Sequence, residues 1–262
     1  MAGLTNNTIA SSYKSLLRVN DNSNGVDTAA EVITDGEGTG SAIRLSDDNF
    51  YVRPQNDNTT TTFQTTKADG TALLTVDSTN SLVKVNANQD IANTQYSLFA
   101  SSGNLVGGEL ANNHHALTFG GQSLSGTPTF GTGTDPATSF TTSEGSLTRG
   151  ADLVPCLWYV MDNIAIDSIV AIEGADTATG DTTRMHLMSY DYSSGATSTL
   201  TSGAVLAYNS DVTNAGSEQT YRSTFTIGTS DVDAGKVIMA FIRSDSINSD
   251  YSVNMYIKYH LR

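Results

Sequence analysis

Residues that could do chemistry are few and dispersed in this sequence. The sequence contains two adjacent histidines, His114 and His115, whose side chains are of a type that binds metal ions. Adjacent residues of a strand point to opposite faces, so one chain cannot easily place both imidazoles on one ion. Two interpretations stay open: a polar loop pair without a ligand, or a metal site that gathers one of these histidines from each of three copies on a trimer axis.

Carboxylates are plentiful but form no recognisable catalytic motif. Asp231 and Asp233 precede Gly235 as in a calcium-binding loop, yet no glutamate follows at the required distance. The nucleophile elbow, the zinc-protease motif and the phosphate-binding loop are all missing from the sequence. We therefore predict a non-enzymatic protein without a cofactor, and we assign no catalytic, cofactor-binding or metal residue. An acid pair for glycoside cleavage would not be visible in sequence.

Tyrosines are the candidate ligand-binding side chains. Tyr190 and Tyr192 form one pair, and Tyr251 and Tyr256 lie near the C-terminus together with Tyr259. Aromatic rings at a surface can stack on sugar rings. The alternative is that these rings pair across strands inside a sandwich.

The composition predicts an all-β protein. Charged residues make up only 15% of the chain, so Thr, Ser, Asn, Gly and Asp must supply the polar surface. Thr favours strands and the other four favour turns. The net charge of −14 argues against a nucleic-acid partner, because phosphate contacts need clustered Lys and Arg.

The single cysteine, Cys156, lies in the apolar run LVPCLWYV and cannot form an intramolecular disulfide. A buried and inert thiol is the expected state. The N-terminus lacks the apolar segment of a signal peptide, and no run approaches the roughly 20 apolar residues of a membrane span. We expect a soluble protein made in the cytoplasm, without a membrane partner.

The first 90 residues predict an N-terminal arm followed by shaft-like hairpins. Residues 1–14 form the arm and residues 15–90 the hairpin region, with hairpins at 15–26 around Asn24-Gly25, at 42–54, and at 63–86. Two or three such strands cannot cover their own apolar face. We therefore predict that this region packs against copies of itself in a homotrimer. The candidate trimer-packing residues are Ile43, Leu45, Leu74, Val76, Val83 and Val85.

The rest of the sequence, residues 91–262, is predicted to form a connector followed by a head. Residues 91–148 are rich in glycine and are predicted to be a connector with strands only at 96–101 and 115–119. Residues 149–262 carry seven candidate strands, the pattern of an antiparallel, jelly-roll-like β-sandwich. The first candidate strand covers 153–161, and the last, 252–261, alternates apolar and polar residues. The predicted core contains Cys156, Trp158, Ile238 and Phe241.

Four segments of the chain, residues 15–27, 36–86, 147–167 and 257–262, together resemble virion surface proteins of marine tailed bacteriophages, of the capsid-decoration and short-fibre type. The first two are similar to the hairpin or shaft segments of phage fibres, and the last two to a compact β-sandwich head. The resemblance implies a homotrimer without a cofactor on the virion surface, assembled in the host cytoplasm.

The resulting functional hypothesis is a non-enzymatic trimer that decorates or cements the capsid, with the major capsid protein as its partner. The sequence lacks the long repetitive shaft of many tail fibres and the self-cleaving C-terminal chaperone module that some of them carry, which favours a location on the head. The alternative is a receptor-binding tail fibre, for which a glycan of the host surface would be a further partner.

Overall fold

The computed structural model describes residues 16–21, 24–88, 90–101, 103, 105–106, 113–122, 129–132, 150–176, 180–195, 200–245 and 250–262. The fold is all-β with antiparallel sheets, and the described part of the chain contains one short α-helix. The chain divides into two compact units, Met1–Asn93 and Thr94–Arg262. The predicted arm, residues 1–14, lies outside the described residues.

The N-terminal unit contains two four-stranded sheets in simple sequential order. The first sheet consists of β1 (Arg18–Val19), β2 (Glu31–Thr34), β3 (Gly40–Leu45) and β4 (Phe50–Val52). The second consists of β5 (Phe63–Thr66), β6 (Ala72–Asp77), β7 (Leu82–Val85) and β8 (Asp90–Ile91).

Polar turn residues produce these hairpins as predicted. The Ser46 side chain accepts a hydrogen bond from Asn49 N at 3.0 Å and closes the β3–β4 turn. Asp69 accepts from Thr71 N at 2.9 Å, and Gly70 adopts φ +86°, which suits glycine, in the β5–β6 turn. The hairpin predicted around Asn24-Gly25 does not form, because β1 pairs with β2 beyond a longer connection. In that connection Asp27 accepts from Ala29 N at 2.8 Å, a local turn that replaces the ladder.

The C-terminal unit is a sandwich of two sheets. Its strands are β9 (Thr94–Ala100), β10 (Leu105–Val106), β11 (Asn113–Ala116), β12 (Thr118–Phe119), β13 (Thr129–Thr132), β14 (Trp158–Tyr159), β15 (Ile164–Ala175), β16 (Thr182–Tyr192), β17 (Leu200–Tyr208), β18 (Val212–Thr213), β19 (Gln219–Thr224), β20 (Thr226–Ile227), β21 (Asp231–Val232), β22 (Lys236–Ser244) and β23 (Asp250–Leu261). The seven-stranded sheet has the order β12-β9-β23-β15-β19, with β10 beside β23 and β21 beside β15. The eight-stranded sheet has the order β13-β11-β22-β16-β17-β20, with β14 beside β22 and β18 beside β16.

The main core lies between these two sheets. Its large members include Phe99, Trp158, Leu187, Ile238 and Met255. Trp158 is 7% exposed and stacks on Phe119 with ring centroids 5.7 Å apart. Val253, Met255 and Ile257 alternate with exposed residues along β23, which confirms the alternation predicted for this strand.

A second apolar cluster covers the other face of the eight-stranded sheet. It joins Cys156 and Leu153 to Met188, Tyr190 and Phe241 of β16 and β22. Cys156 and Leu153 come from α1 (Gly150–Leu153) and a 3-10 turn (Val154–Cys156). The strand predicted for residues 153–161 is therefore wrong in its first half, because Pro155 has no N–H for a strand ladder and suits the start of a helical turn.

Two long strands of the sandwich bring sequence-distant segments together. β9 pairs with β23 over seven residues, Thr94↔His260 through Ala100↔Asn254, and β11 pairs with β22. The segment predicted as a connector, 91–148, therefore supplies β9 to β13 to the sandwich. The strands predicted at 96–101 and 115–119 are confirmed; much of the remaining segment lies outside the described residues.

Candidate ligand-binding face

The four tyrosines predicted at a ligand surface do not lie together. Tyr190 and Tyr251 are 0% and 1% exposed, so their assignment to a surface is wrong. Tyr190 belongs to the apolar cluster beside Cys156. Tyr251 has the same strand parity as Val253 and points into the sandwich, where its hydroxyl oxygen accepts from Asn214 Nδ2 at 3.1 Å and lies 3.3 Å from Ser244 Oγ.

Tyr192 and Tyr256 are exposed but lie on different sheets. Tyr192, 41% exposed on β16, meets Tyr159 edge-on with ring centroids 6.1 Å apart. Tyr256 is 47% exposed on β23. It points away from the core, on what we call the outer face of the seven-stranded sheet.

The outer face carries a second tyrosine, Tyr96, which is not among the candidates predicted from the sequence. Tyr96 of β9 is 74% exposed and pairs with Lys258. Leu98, two residues on, pairs with Tyr256. The two tyrosines are thus diagonal cross-strand neighbours, within reach of each other's rings. The alternation in 96–101 already separates Tyr96 and Leu98 from Phe99, but only the β9–β23 register places them beside Tyr256.

An open groove of about 880 Å³ occupies one end of the outer face. Its floor is Gly174 of β15, which lies between Ser252 of β23 and Thr220 of β19 in one cross-strand row. A Cβ on Gly174 would meet no atom closer than Ser252 O at 4.0 Å, so the missing side chain opens this space. Other lining residues are Ala175, Asp176, Glu218, Gln219 and Asp250. A second depression shares Gly174 and Ser252 and continues to Ile172 and Asn254.

Local hydrogen bonds fix the rim of the groove. The Tyr221 hydroxyl donates to Gln219 Oε1 at 3.0 Å and accepts from Ala215 N at 3.0 Å, which ties down the loop before β19. Asp176 N donates to Asp250 O at 3.2 Å and joins the ends of β15 and β23. The lining therefore combines hydroxyl, amide and carboxylate groups on a backbone that hydrogen bonds fix in place. Such groups can donate hydrogen bonds to a polyhydroxyl ligand and accept them from it.

Glu173, the residue before Gly174 on β15, has a buried carboxyl group. Glu173 is 1% exposed, and the Thr183 hydroxyl across the sandwich lies 2.7 and 2.8 Å from its two oxygens. Burial raises the pKa of Glu173 to about 7, an effect that the Thr183 hydrogen bond partly opposes. The side chain faces the interior, so it links the two sheets rather than lining the groove.

The residues of metal-ligand type form no centre in the described part of the chain, where no three His, Cys, Asp or Glu side chains are arranged to hold an ion. His114 and His115 are buried on β11, so the prediction of a polar loop pair is wrong. His114 packs against His186 with ring centroids 5.3 Å apart. Asp231 and Asp233 instead pair with Arg262 at 2.7 and 2.9 Å.

The remaining predicted core residues are where the sequence placed them. Cys156, Ile238 and Phe241 are each 0% exposed. Burial, together with the nearby Asp152 charge, raises the pKa of the Cys156 thiol to about 12, so the reactive thiolate is not populated at neutral pH. No helix in the described residues is long and apolar enough to cross a membrane.

The candidate trimer-packing residues form two one-sided apolar surfaces. In the second N-terminal sheet, Leu74 pairs with Val85 and Val76 with Val83, so all four share one face. In the first sheet, Ile43 and Leu45 share a face with Val52 and Phe50. We call these the 74–85 face and the 43–52 face. Ile43 and Val83 are 40% and 43% exposed. The other four candidate side chains are partly buried.

No protein-family model matches the chain, and no curated protein matches it. Among solved structures, the chain is similar to the CBM22-1 and GH10 modules of the Clostridium thermocellum endo-1,4-β-D-xylanase 10B, solved with xylohexaose. The match has 14% identity and a TM-score of 0.23, and it covers 65% of this chain and 26% of that chain. At this TM-score the similarity carries no information about fold or function.

Proposed function

We propose that the protein is a non-enzymatic virion structural protein that forms a homotrimer through its N-terminal unit and decorates the capsid surface. One observation carries the self-association. Among the described residues of 16–93 no hydrophobic side chain is buried, whereas the described part of the C-terminal unit has a continuous core. The 74–85 and 43–52 faces leave apolar area in water that a second and third copy would cover.

Polar contacts, and not an apolar core, hold the described part of the N-terminal unit together. The buried side chains there are Thr34, Ser46, Thr75 and Asp77. Asp77 accepts from Lys84 Nζ at 2.9 Å, from Asn80 Nδ2 at 2.9 Å and from Asn80 N at 3.0 Å. The hydrogen bonds from Asn80 and Lys84 lower the pKa of Asp77 to about 2. Such bonds define the turns but contribute modestly to net stability, so association has to supply the remainder.

The virion location rests on the sequence resemblance to phage decoration and fibre proteins. A trimer would present three N-terminal arms, and three weak contacts to neighbouring capsid subunits would add through multivalency. The acidic composition suits a surface that must stay soluble at high density.

A matched pair of substitutions tests the self-association. Val83 is 43% exposed on the 74–85 face, and Leu73 is 44% exposed on the opposite face of the same sheet, beside Thr75. Val83→Glu should dissociate the trimer, because three carboxylates would enter one apolar contact. Leu73→Glu adds the same charge at equal exposure and should leave the mass unchanged. Equal behaviour of both variants in sedimentation velocity would contradict the proposal.

A receptor-binding tail fibre is the second candidate, and the exposed Tyr96–Tyr256 pair favours it. Deleting residues 2–13 separates the two functions. The truncated trimer should fail to add to empty heads if the arm anchors a decoration protein. Immunogold labelling confined to the tails of intact virions would instead favour the fibre.

A further inference from the structure

We propose that the outer face of the seven-stranded sheet binds a neutral oligosaccharide, which extends from the groove over Gly174 to the Tyr96–Tyr256 pair. This inference concerns the C-terminal unit and does not depend on the trimer or on the virion location. Three features of the described residues carry it: the shape of the groove, the order of polar and apolar groups along it, and the sign of its charge.

The shape suits an extended chain rather than a compact ligand. The two depressions share Gly174 and Ser252, so they form one open trough across β15, β19 and β23. The trough runs from Gly174 to Ile172 and Asn254, and Val170 and its partner Tyr256 form the next cross-strand row on the same face, beyond its end. Strand neighbours lie about 4.8 Å apart and alternate residues about 6.8 Å apart. The surface between groove and tyrosines therefore spans a few sugar units.

The chemistry changes along the trough in the way a sugar chain requires. At the groove end, Thr220, Gln219 and Ser252 offer hydroxyl and amide groups. Asp176 and Asp250 add carboxylate groups to this lining, and carboxylate oxygens accept hydrogen bonds from sugar hydroxyls. At the other end, the exposed rings of Tyr256 and Tyr96 continue from Ile172, which is 38% exposed. Sugars present both hydroxyl groups and apolar C–H faces, so one ligand satisfies both ends.

The charge at the groove end disfavours an acidic sugar there. Asp176, Glu218 and Asp250 line the groove, and the chain carries a net charge of −14. A uronic acid or sialic acid would place its carboxylate beside three others, which is unfavourable. Arg222 pairs with Ile172 and Lys258 with Tyr96, so these two cations lie toward the tyrosine end, and the carboxylates set the sign of the charge at the groove end.

The test uses the full-length protein on an array of neutral and acidic oligosaccharides, followed by calorimetric titration with the neutral ligand that binds best. Gly174→Trp should abolish binding, because the indole fills the trough. Gly174 has no positive φ, and a Cβ there meets only Ser252 O at 4.0 Å, so the variant should fold. Gly174→Ala adds one methyl group and should retain most of the affinity. Tyr256→Ala and Tyr96→Ala should each weaken binding about three- to tenfold.

The control is Tyr192→Ala, which removes a tyrosine of similar exposure from the other sheet and should leave binding unchanged. Thermal unfolding verifies the fold of each variant. Absence of any neutral ligand on the array would overturn the proposal, as would undiminished binding by Gly174→Trp. A change in oligomeric mass on Gly174→Trp or Tyr256→Ala would show that the face is a subunit contact, and this outcome would also contradict the proposal.

Discussion

The two units of this chain solve the burial problem in opposite ways. The C-terminal unit has two sheets whose facing sides carry Phe99, Trp158 and Met255, so it encloses its own core. In the described part of the N-terminal unit, the buried side chains are polar and large hydrophobic residues such as Phe50 and Val83 remain exposed. Both units alternate apolar and polar residues along their strands. A sheet with one apolar face needs a second apolar surface against it. Among the described residues, only those of the C-terminal unit provide one within the same chain.

Truncation of the chain should have the largest effect, because it tests directly which residues enclose the core of the C-terminal unit. Residues 94–262 should fold in isolation, because they contain every strand of both sandwich sheets. The shorter fragment 150–262, which is the predicted head without its first residue, lacks β9 and β11. It should fail to fold, since β23 and β22 each lose a partner strand and Phe99 leaves the core. Circular dichroism and proton NMR of the two fragments check this; a folded 150–262 fragment would restore the predicted boundary.

A substitution in the core should have the next largest effect. Trp158→Ala should lower the free energy of unfolding by about 3–5 kcal/mol, because the indole is buried against Phe119 and Tyr259. Its chain neighbour Tyr159 is 52% exposed, and Tyr159→Ala should change stability by about 1 kcal/mol or less. Urea unfolding measures both. Similar effects of the two substitutions would mean that Trp158 is not a core residue.

The pH dependence of stability should show a smaller effect, which comes from the buried carboxyl group of Glu173. Because burial raises the pKa of Glu173 from its ordinary 4.5 to about 7, the native state retains a proton that the unfolded chain loses. This stabilisation is fully present below about pH 4.5 and is lost as the pH rises through about 7. Glu173→Gln keeps the shape without the ionisation, so it should be more stable than wild type by about 2–4 kcal/mol at pH 8 and should lose most of this pH dependence.

The matched control is Glu218→Gln, at an exposed carboxylate on the groove rim. It should leave the pH dependence of unfolding as in wild type. If the two glutamine variants gave the same profile between pH 4.5 and 8, the Glu173 carboxyl would not be the group that titrates.

Local sequence pattern predicted much of this fold but little of the candidate site. Turn chemistry at Ser46 and Asp69 located two hairpins, and alternation located β23 with its buried face. Pairing between β9 and β23, whose partners are about 160 residues apart, has no local signal in the sequence, which therefore predicts β9 as part of a connector. The same reason hid the outer face: Tyr96, Gly174 and Tyr256 become neighbours only through the register of three strands.

Burial was the other property that sequence alone could not supply. Tyr190 and Tyr192 have the same parity on β16, yet one is fully buried and the other 41% exposed. The difference arises because residues of α1 and the following 3-10 turn pack beside Tyr190 in the second cluster. The burial of Tyr251 could have been predicted from the sequence, because Tyr251 lies two residues before Val253 and therefore on the same face of β23.

Light scattering of the full-length protein after gel filtration tests the central claim most directly. If copies of the N-terminal unit cover each other's apolar faces, the measured mass should be three times 27.6 kDa at micromolar concentration. A folded monomer of 27.6 kDa under the same conditions would contradict the account, because the exposed faces of residues 43–52 and 74–85 would then need no partner.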